Sequence, residues 1–181
     1  MWHIADPLAY DHILFLIALC GFYHWRDWKG LLILITAFTL GHSLTLALSV
    51  LEIVVLPASY IEFAIPLSIV LTCVYNLFRL AHRPAKSEPL RYSMAAVFGL
   101  IHGLGFSYLL KAMLGSQTDL LLPLFAFNVG LEAGQLLIVA GLLLASSLAQ
   151  AIKIKERDWR LSLSTFTLGI ALVMTIERIP Q

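Results

Sequence analysis

Gly30–Val50 reads GLLILITAFTLGHSLTLALSV, twenty-one residues without an Asp, Glu, Lys or Arg and with a histidine, His42, just past the middle. About 20 mostly apolar residues are what an α-helix needs to cross ~30 Å of hydrocarbon. An ionisable side chain at such a depth costs at least ~2.5 kcal/mol, so it needs a partner or a purpose. Three further apolar stretches carry the same anomaly, at Asp11-His12, at His102 and at Glu132. Two carboxylates and three imidazoles spread over four helices point to one hydrophilic site assembled inside a membrane.

The composition agrees. Of 181 residues, 60% are hydrophobic and 13% charged, with a mean hydropathy of +0.87; soluble domains carry about 25% charged residues. A net charge of +1 without a large basic patch argues against nucleic acid as a partner. Cys20 and Cys73 lie inside apolar runs with no paired spacing, which supports neither a disulfide framework nor a thiolate zinc site. Met1-Trp2-His3 lacks a basic leader and Asp11-His12 interrupts the first apolar run, so the first helix is expected to stay in the mature protein.

The spacing predicts an all-α, single-domain membrane protein over 1–181 with six transmembrane spans, at about 7–23, 30–50, 58–80, 92–114, 120–149 and 161–176. Asp6 is the expected N-cap of the first, with Pro7 at its first helical position. Arg26, Lys29, Arg79, Arg83, Lys86, Arg91, Lys153, Lys155, Arg157 and Arg160, ten of the twelve basic residues, fall in or beside three links that share one side; only Lys111 and Arg178 fall on the other. The positive-inside rule then places both termini outside the cytoplasm, on the periplasmic or extracellular side.

With that orientation the polar residues gather in one slab, at ~1.5 Å of depth per residue. Asp11 and His12 lie about one turn inside the outer end of the first span, while His42, His102 and Glu132 lie near the middle of theirs. The metal-ligand candidates are therefore Asp11, His12, His42, His102 and Glu132. Thr39, Ser43 and Thr45 in the second span, and Asn128 and Gln135 in the fifth, stand behind them. Thr39, His42 and Thr45 share one helical face; the hydroxyls either orient the imidazole or bond back to their own helix. His3 and Glu62 are weaker candidates, Glu62 because it lies close to the interface. Gly99 and Gly103, like Gly130 and Gly134, form small-xxx-small pairs that let another helix approach. Apart from Asn76 near the cytoplasmic end, nothing comparable marks the inner half.

Four blocks, Tyr10–Leu16 (YDHILFL), Thr36–Leu46 (TAFTLGHSLTL), Phe98–Phe106 (FGLIHGLGF) and Phe127–Gln135 (FNVGLEAGQ), resemble the HupE/UreJ family of bacterial membrane proteins, in the family's order and over nearly the whole chain. The resemblance implies a multi-pass protein of the bacterial inner (cytoplasmic) membrane, accessory to hydrogenase or urease, with nickel uptake as the activity. It also implies that the Asp11-His12 pair handles the ion, whereas His3 stands two residues further upstream than the family's histidine.

Two functions follow as expectations. The first is a permease for a divalent transition metal, nickel or cobalt by resemblance; imidazole with carboxylate equally suits zinc, copper and iron. The second is an intramembrane metal-dependent hydrolase using the same site, with Glu132 as general base; no HExxH motif accompanies it. A purely structural polar cluster is the third reading. The expected partners are the lipid bilayer and a metal ion; whether the chain forms a homo-oligomer is left open.

Overall fold

The structure, a computed structural model, describes residues 10–82, 88–114 and 121–180, which form six helices. These are α1 (Tyr10–Cys20), α2 (Trp28–Val50, after a 3-10 turn at Trp25–Asp27), α3 (Ala58–His82), α4 (Glu88–Leu114), α5 (Leu121–Ala151) and α6 (Glu156–Glu177). The all-helical class agrees with the expectation from sequence. Among the described residues four stretches are long and apolar enough to cross a membrane: Trp25–Val50, Ala58–His82, Leu122–Ala151 and Glu156–Glu177. This is fewer than the six expected. The eleven described residues of α1 reach only about 16 Å along the axis; Asp6 and Pro7 lie outside the described residues. α4 runs for 27 residues, with Glu88, Arg91 and Lys111 near its ends.

Side-chain bonds fix how the helices run. At one end Arg178 Nη1 donates to Asp11 Oδ2 at 3.0 Å, tying the start of α1 to the residue after α6. At the opposite end Arg160 Nη2 donates to the Phe22 carbonyl at 2.9 Å, and Trp25 Nε1 donates to Ser147 Oγ at 2.9 Å. Asn76 Nδ2 donates to the Ala18 carbonyl at 2.6 Å, and Arg91 Nη2 to Asn76 Oδ1 at 3.3 Å. The end of α3 and the start of α4 therefore share the end marked by Arg160, while Tyr10 and Arg178 share the other. Glu52 and Lys153, after α2 and α5, take left-handed backbone conformations (φ 61° and 65°). At each, two backbone bonds close the helix, such as Ile53 N to Leu48 O at 2.9 Å and Ile154 N to Ala149 O at 3.0 Å.

The tightest packing is between α2 and α4, and it is made by glycines. A Cβ on Gly41 would collide with the Ala96 carbonyl oxygen, one on Gly99 with that of Phe38, and one on Gly103 with that of His42. The two backbones touch directly over two helical turns, as small residues allow. Phe15, Leu16, Leu34, Ile35, Phe38 and Ile69, all essentially inaccessible, fill the core around this contact. Leu40, Leu122, Phe125, Leu137 and Phe166 point outward instead, between 64% and 76% exposed, and give the bundle an apolar exterior.

The second glycine pair differs from expectation. Nothing lies within 4 Å of a Cβ built on Gly130 or Gly134, so α5 does not use them for close approach. Gly134 instead borders a cavity of about 230 Å³ beside α1. Gly99→Val is accordingly expected to destabilise the bundle by about 3 kcal/mol, read as an earlier unfolding midpoint in mixed micelles. Gly130→Val should leave that midpoint in place; equal midpoints for both variants would contradict the assignment.

Candidate metal site

His12, His42 and His102 arrive from α1, α2 and α4 at the level of the glycine contact. The His12 ring centroid lies 5.0 Å from that of His102 and 5.8 Å from that of His42. His42 and His102 are fully buried. Phenylalanines wall the three rings in: Phe15 lies 4.9 Å from His102, Phe38 5.4 Å from His102, and Phe106 5.4 Å from His12. Gly103, packed on the His42 carbonyl, allows this convergence, because any side chain there would push α4 and His102 away.

The ring nitrogens are where the chemistry shows. Both nitrogens of His12, both of His42 and Nδ1 of His102 are buried and have no hydrogen-bond partner. Buried polar groups are nearly always satisfied, and five orphans in one place require an explanation. The sixth nitrogen, His102 Nε2, lies 3.1 Å from Ser68 Oγ. Ser68 Oγ donates to the Ile65 carbonyl at 2.6 Å, which leaves its lone pairs for His102. We assign the tautomer from this bond: Nε2 carries the proton and Nδ1 presents its lone pair to the cluster.

The remaining candidates engage elsewhere. Asp11 is held by Arg178, with its Oδ1 buried and unpartnered. Glu132 Oε1 accepts from Thr36 Oγ1 at 3.2 Å. Glu62 is exposed, and His3 lies outside the described residues. Thr39 Oγ1 donates to Gln135 Oε1 at 3.0 Å, and Ser43 Oγ contacts Asn128 Oδ1 at 2.7 Å. Together with Thr36–Glu132, these pairs make a polar seam between α2 and α5. Thr45 Oγ1 bonds the Leu100 carbonyl at 2.7 Å and carbonyls of its own helix. Neither threonine touches an imidazole; Thr39 joins helices α2 and α5, and Thr45 joins α2 and α4.

Among the described residues no group of three His, Cys, Asp or Glu side chains stands in a metal-holding arrangement. The His12 ring nevertheless stands 5.0 and 5.8 Å from those of His102 and His42. Two imidazoles bound to one ion at ~2.0–2.1 Å place their ring centres roughly 5 Å apart. The unpartnered nitrogens and the cavity bordered by His12, Phe106 and Gln135 supply the donors and the room. The residue set therefore fits a transition-metal ion in its donor chemistry.

Sequence reasoning passed over Ser68, which alone among the described residues bonds to these imidazoles through its side chain, although its position four and eight residues before Thr72 and Asn76 was a readable signal. Elsewhere, His24 Nε2 lies 2.8 Å from Glu156 Oε1, clamping the α1–α2 turn to α6.

One family model, described as HupE / UreJ protein, matches residues 1–178. No curated protein and no solved structure matches the chain. The match spans nearly the whole sequence and includes all three helices that bring the histidines together, so the chain belongs to the HupE/UreJ family.

Proposed function

We propose that this protein is a permease for a divalent transition metal, with nickel as the first ion to test, embedded in the bacterial inner membrane by six spans. The observation that carries the proposal is the set of five buried, unpartnered imidazole nitrogens where α1, α2 and α4 meet. Family membership supports the metal, since nickel uptake is what the resemblance implies. In this reading α4 and an α1 extended toward the N-terminus join the four apolar helices as spans. The end holding Tyr10 and Arg178 faces away from the cytoplasm, because the basic links gather at the other.

The residues then divide the work. An ion arriving at the Arg178 end meets Asp11, whose second carboxylate oxygen is free to bind it. His12, His42 and His102 replace part of its water shell, and Ser68 keeps the His102 lone pair aimed at it. The cavity bordered by His12 and Gln135 leaves space for the waters the ion retains. The hydrolase reading is weaker here, because no HExxH motif accompanies the site.

Purified protein is expected to bind nickel, and His42→Ala and His102→Ala to lose most of it, by metal analysis after gel filtration without chelator. Equal metal in all three would contradict the proposal. Ser68→Ala should keep the ligands and weaken affinity by about tenfold, as removing the partner of a ligating imidazole does; unchanged affinity would detach Ser68 from the site. Sealed vesicles containing the chain should accumulate nickel. Tight stoichiometric binding without uptake would instead favour a metalloenzyme.

A further inference from the structure

The histidines account for how an ion is held, but a permease also needs a way out toward the Arg160 end. The face of α3 below His102 provides a polar one. Ser68, Thr72 and Asn76 follow each other at spacing four, so they stack along one side of the helix, and each is at most 2% exposed. They descend about 12 Å from the His102 contact to Arg91. Thr72 Oγ1 donates to the Ser68 carbonyl at 2.8 Å, and Ser68 Oγ to that of Ile65. Both hydroxyl protons are thus turned into the helix and the oxygen lone pairs are left outward. Asn76 Nδ2 is likewise spent on the Ala18 carbonyl, which directs its Oδ1 onward. Such a row of oxygens is what a desolvated cation requires.

α6, which packs along α3, adds two buried groups, Ser164 and Thr167. The Thr167 hydroxyl is fully buried and without a partner. A helix contact needing only close packing has no use for that many polar atoms in a membrane, where each unsatisfied one is costly.

The row ends at a cation. Arg91 is buried, donates to Asn76 Oδ1 at 3.3 Å, and lies over the rings of Phe22 and Tyr23 at 5.3 and 5.0 Å. Its guanidinium occupies the last oxygen of the row, where it repels any metal ion descending from the histidines. Arg91 is also only three residues from the start of α4, within reach of the water interface if the side chain turns outward.

We propose that Ser68, Thr72 and Asn76 form the inward route from the histidine cluster and that Arg91 is its gate, closed on Asn76 and opened by swinging to the interface. This rests on the permease reading above and supplies the exit that reading lacks. The test uses the full chain in sealed vesicles, with nickel as the probe and uptake read separately from bound metal. Thr72→Val is expected to bind as much nickel as wild type and to take it up about tenfold more slowly. Wild-type uptake in this variant would overturn the route.

The gate has a readout independent of transport. Thr72→Cys, in a Cys20→Ala, Cys73→Ala background, is labelled by a small membrane-impermeant thiol reagent supplied at the Arg160 face. Labelling should be slow with Arg91 present and about tenfold faster with Arg91→Gln. Labelling indifferent to Arg91 would overturn the gate. If wild type moved no nickel while labelling still depended on Arg91, the permease reading would fall and the gated path would stand.

Discussion

The direct backbone contact between α2 and α4 sets the dimensions of everything around it. Gly41, Gly99 and Gly103 each face a carbonyl of the opposite helix, with Leu100 N only 3.1 Å from a Cβ built on Gly41. That separation is shorter than side chains permit, and it puts His42 and His102 behind one wall of phenylalanines with His12 between them. In a bilayer there is no hydrophobic force between helices, so close packing and internal hydrogen bonds must hold them. Glycine supplies the first and the Thr45 bond to the Leu100 carbonyl the second.

Two polar systems leave this contact in different directions. Toward α5, Thr36, Thr39 and Ser43 meet Glu132, Gln135 and Asn128 side chain to side chain. These groups pair across the seam, with Gln135 Nε2 left buried and without a partner, and they fix a helix lacking close glycine contacts of its own. Toward α3, Ser68, Thr72 and Asn76 each donate to a backbone carbonyl, and the row meets His102 at one end and Arg91 at the other. Side-chain pairs between two helices read as a seam, and a row of oxygens between an imidazole cluster and a buried arginine reads as a path.

Much of this was legible in the sequence, for identifiable reasons. Long apolar runs such as Gly30–Val50 announce helices whatever their neighbours do, and α2 to α6 fall within a few residues of where hydropathy puts them. His42 and His102 were grouped by their shared depth, and a glycine lies beside each on its helix. The small-residue pattern failed at Gly130 and Gly134, since the same spacing serves a close contact or the edge of a cavity, and only the partner helix decides. Asp11 was grouped with the histidines by depth, but its salt bridge to Arg178 joins residues from opposite ends of the chain, which local pattern cannot reveal. Glu132 likewise accepts from Thr36 on α2, a contact between distant residues. Ser68 was overlooked because one serine in an apolar run usually bonds back to its own helix; here it does so and also fixes an imidazole.

The central claim is that the glycine contact gathers three imidazoles into one ligand set for a transition metal. X-ray absorption of the nickel-loaded protein tests it most directly. The account predicts the multiple-scattering signature of histidine rings, fitting three imidazole nitrogens in wild type and fewer in His102→Ala. A nickel ion coordinated by oxygen alone, with a spectrum unchanged in His102→Ala, would contradict it.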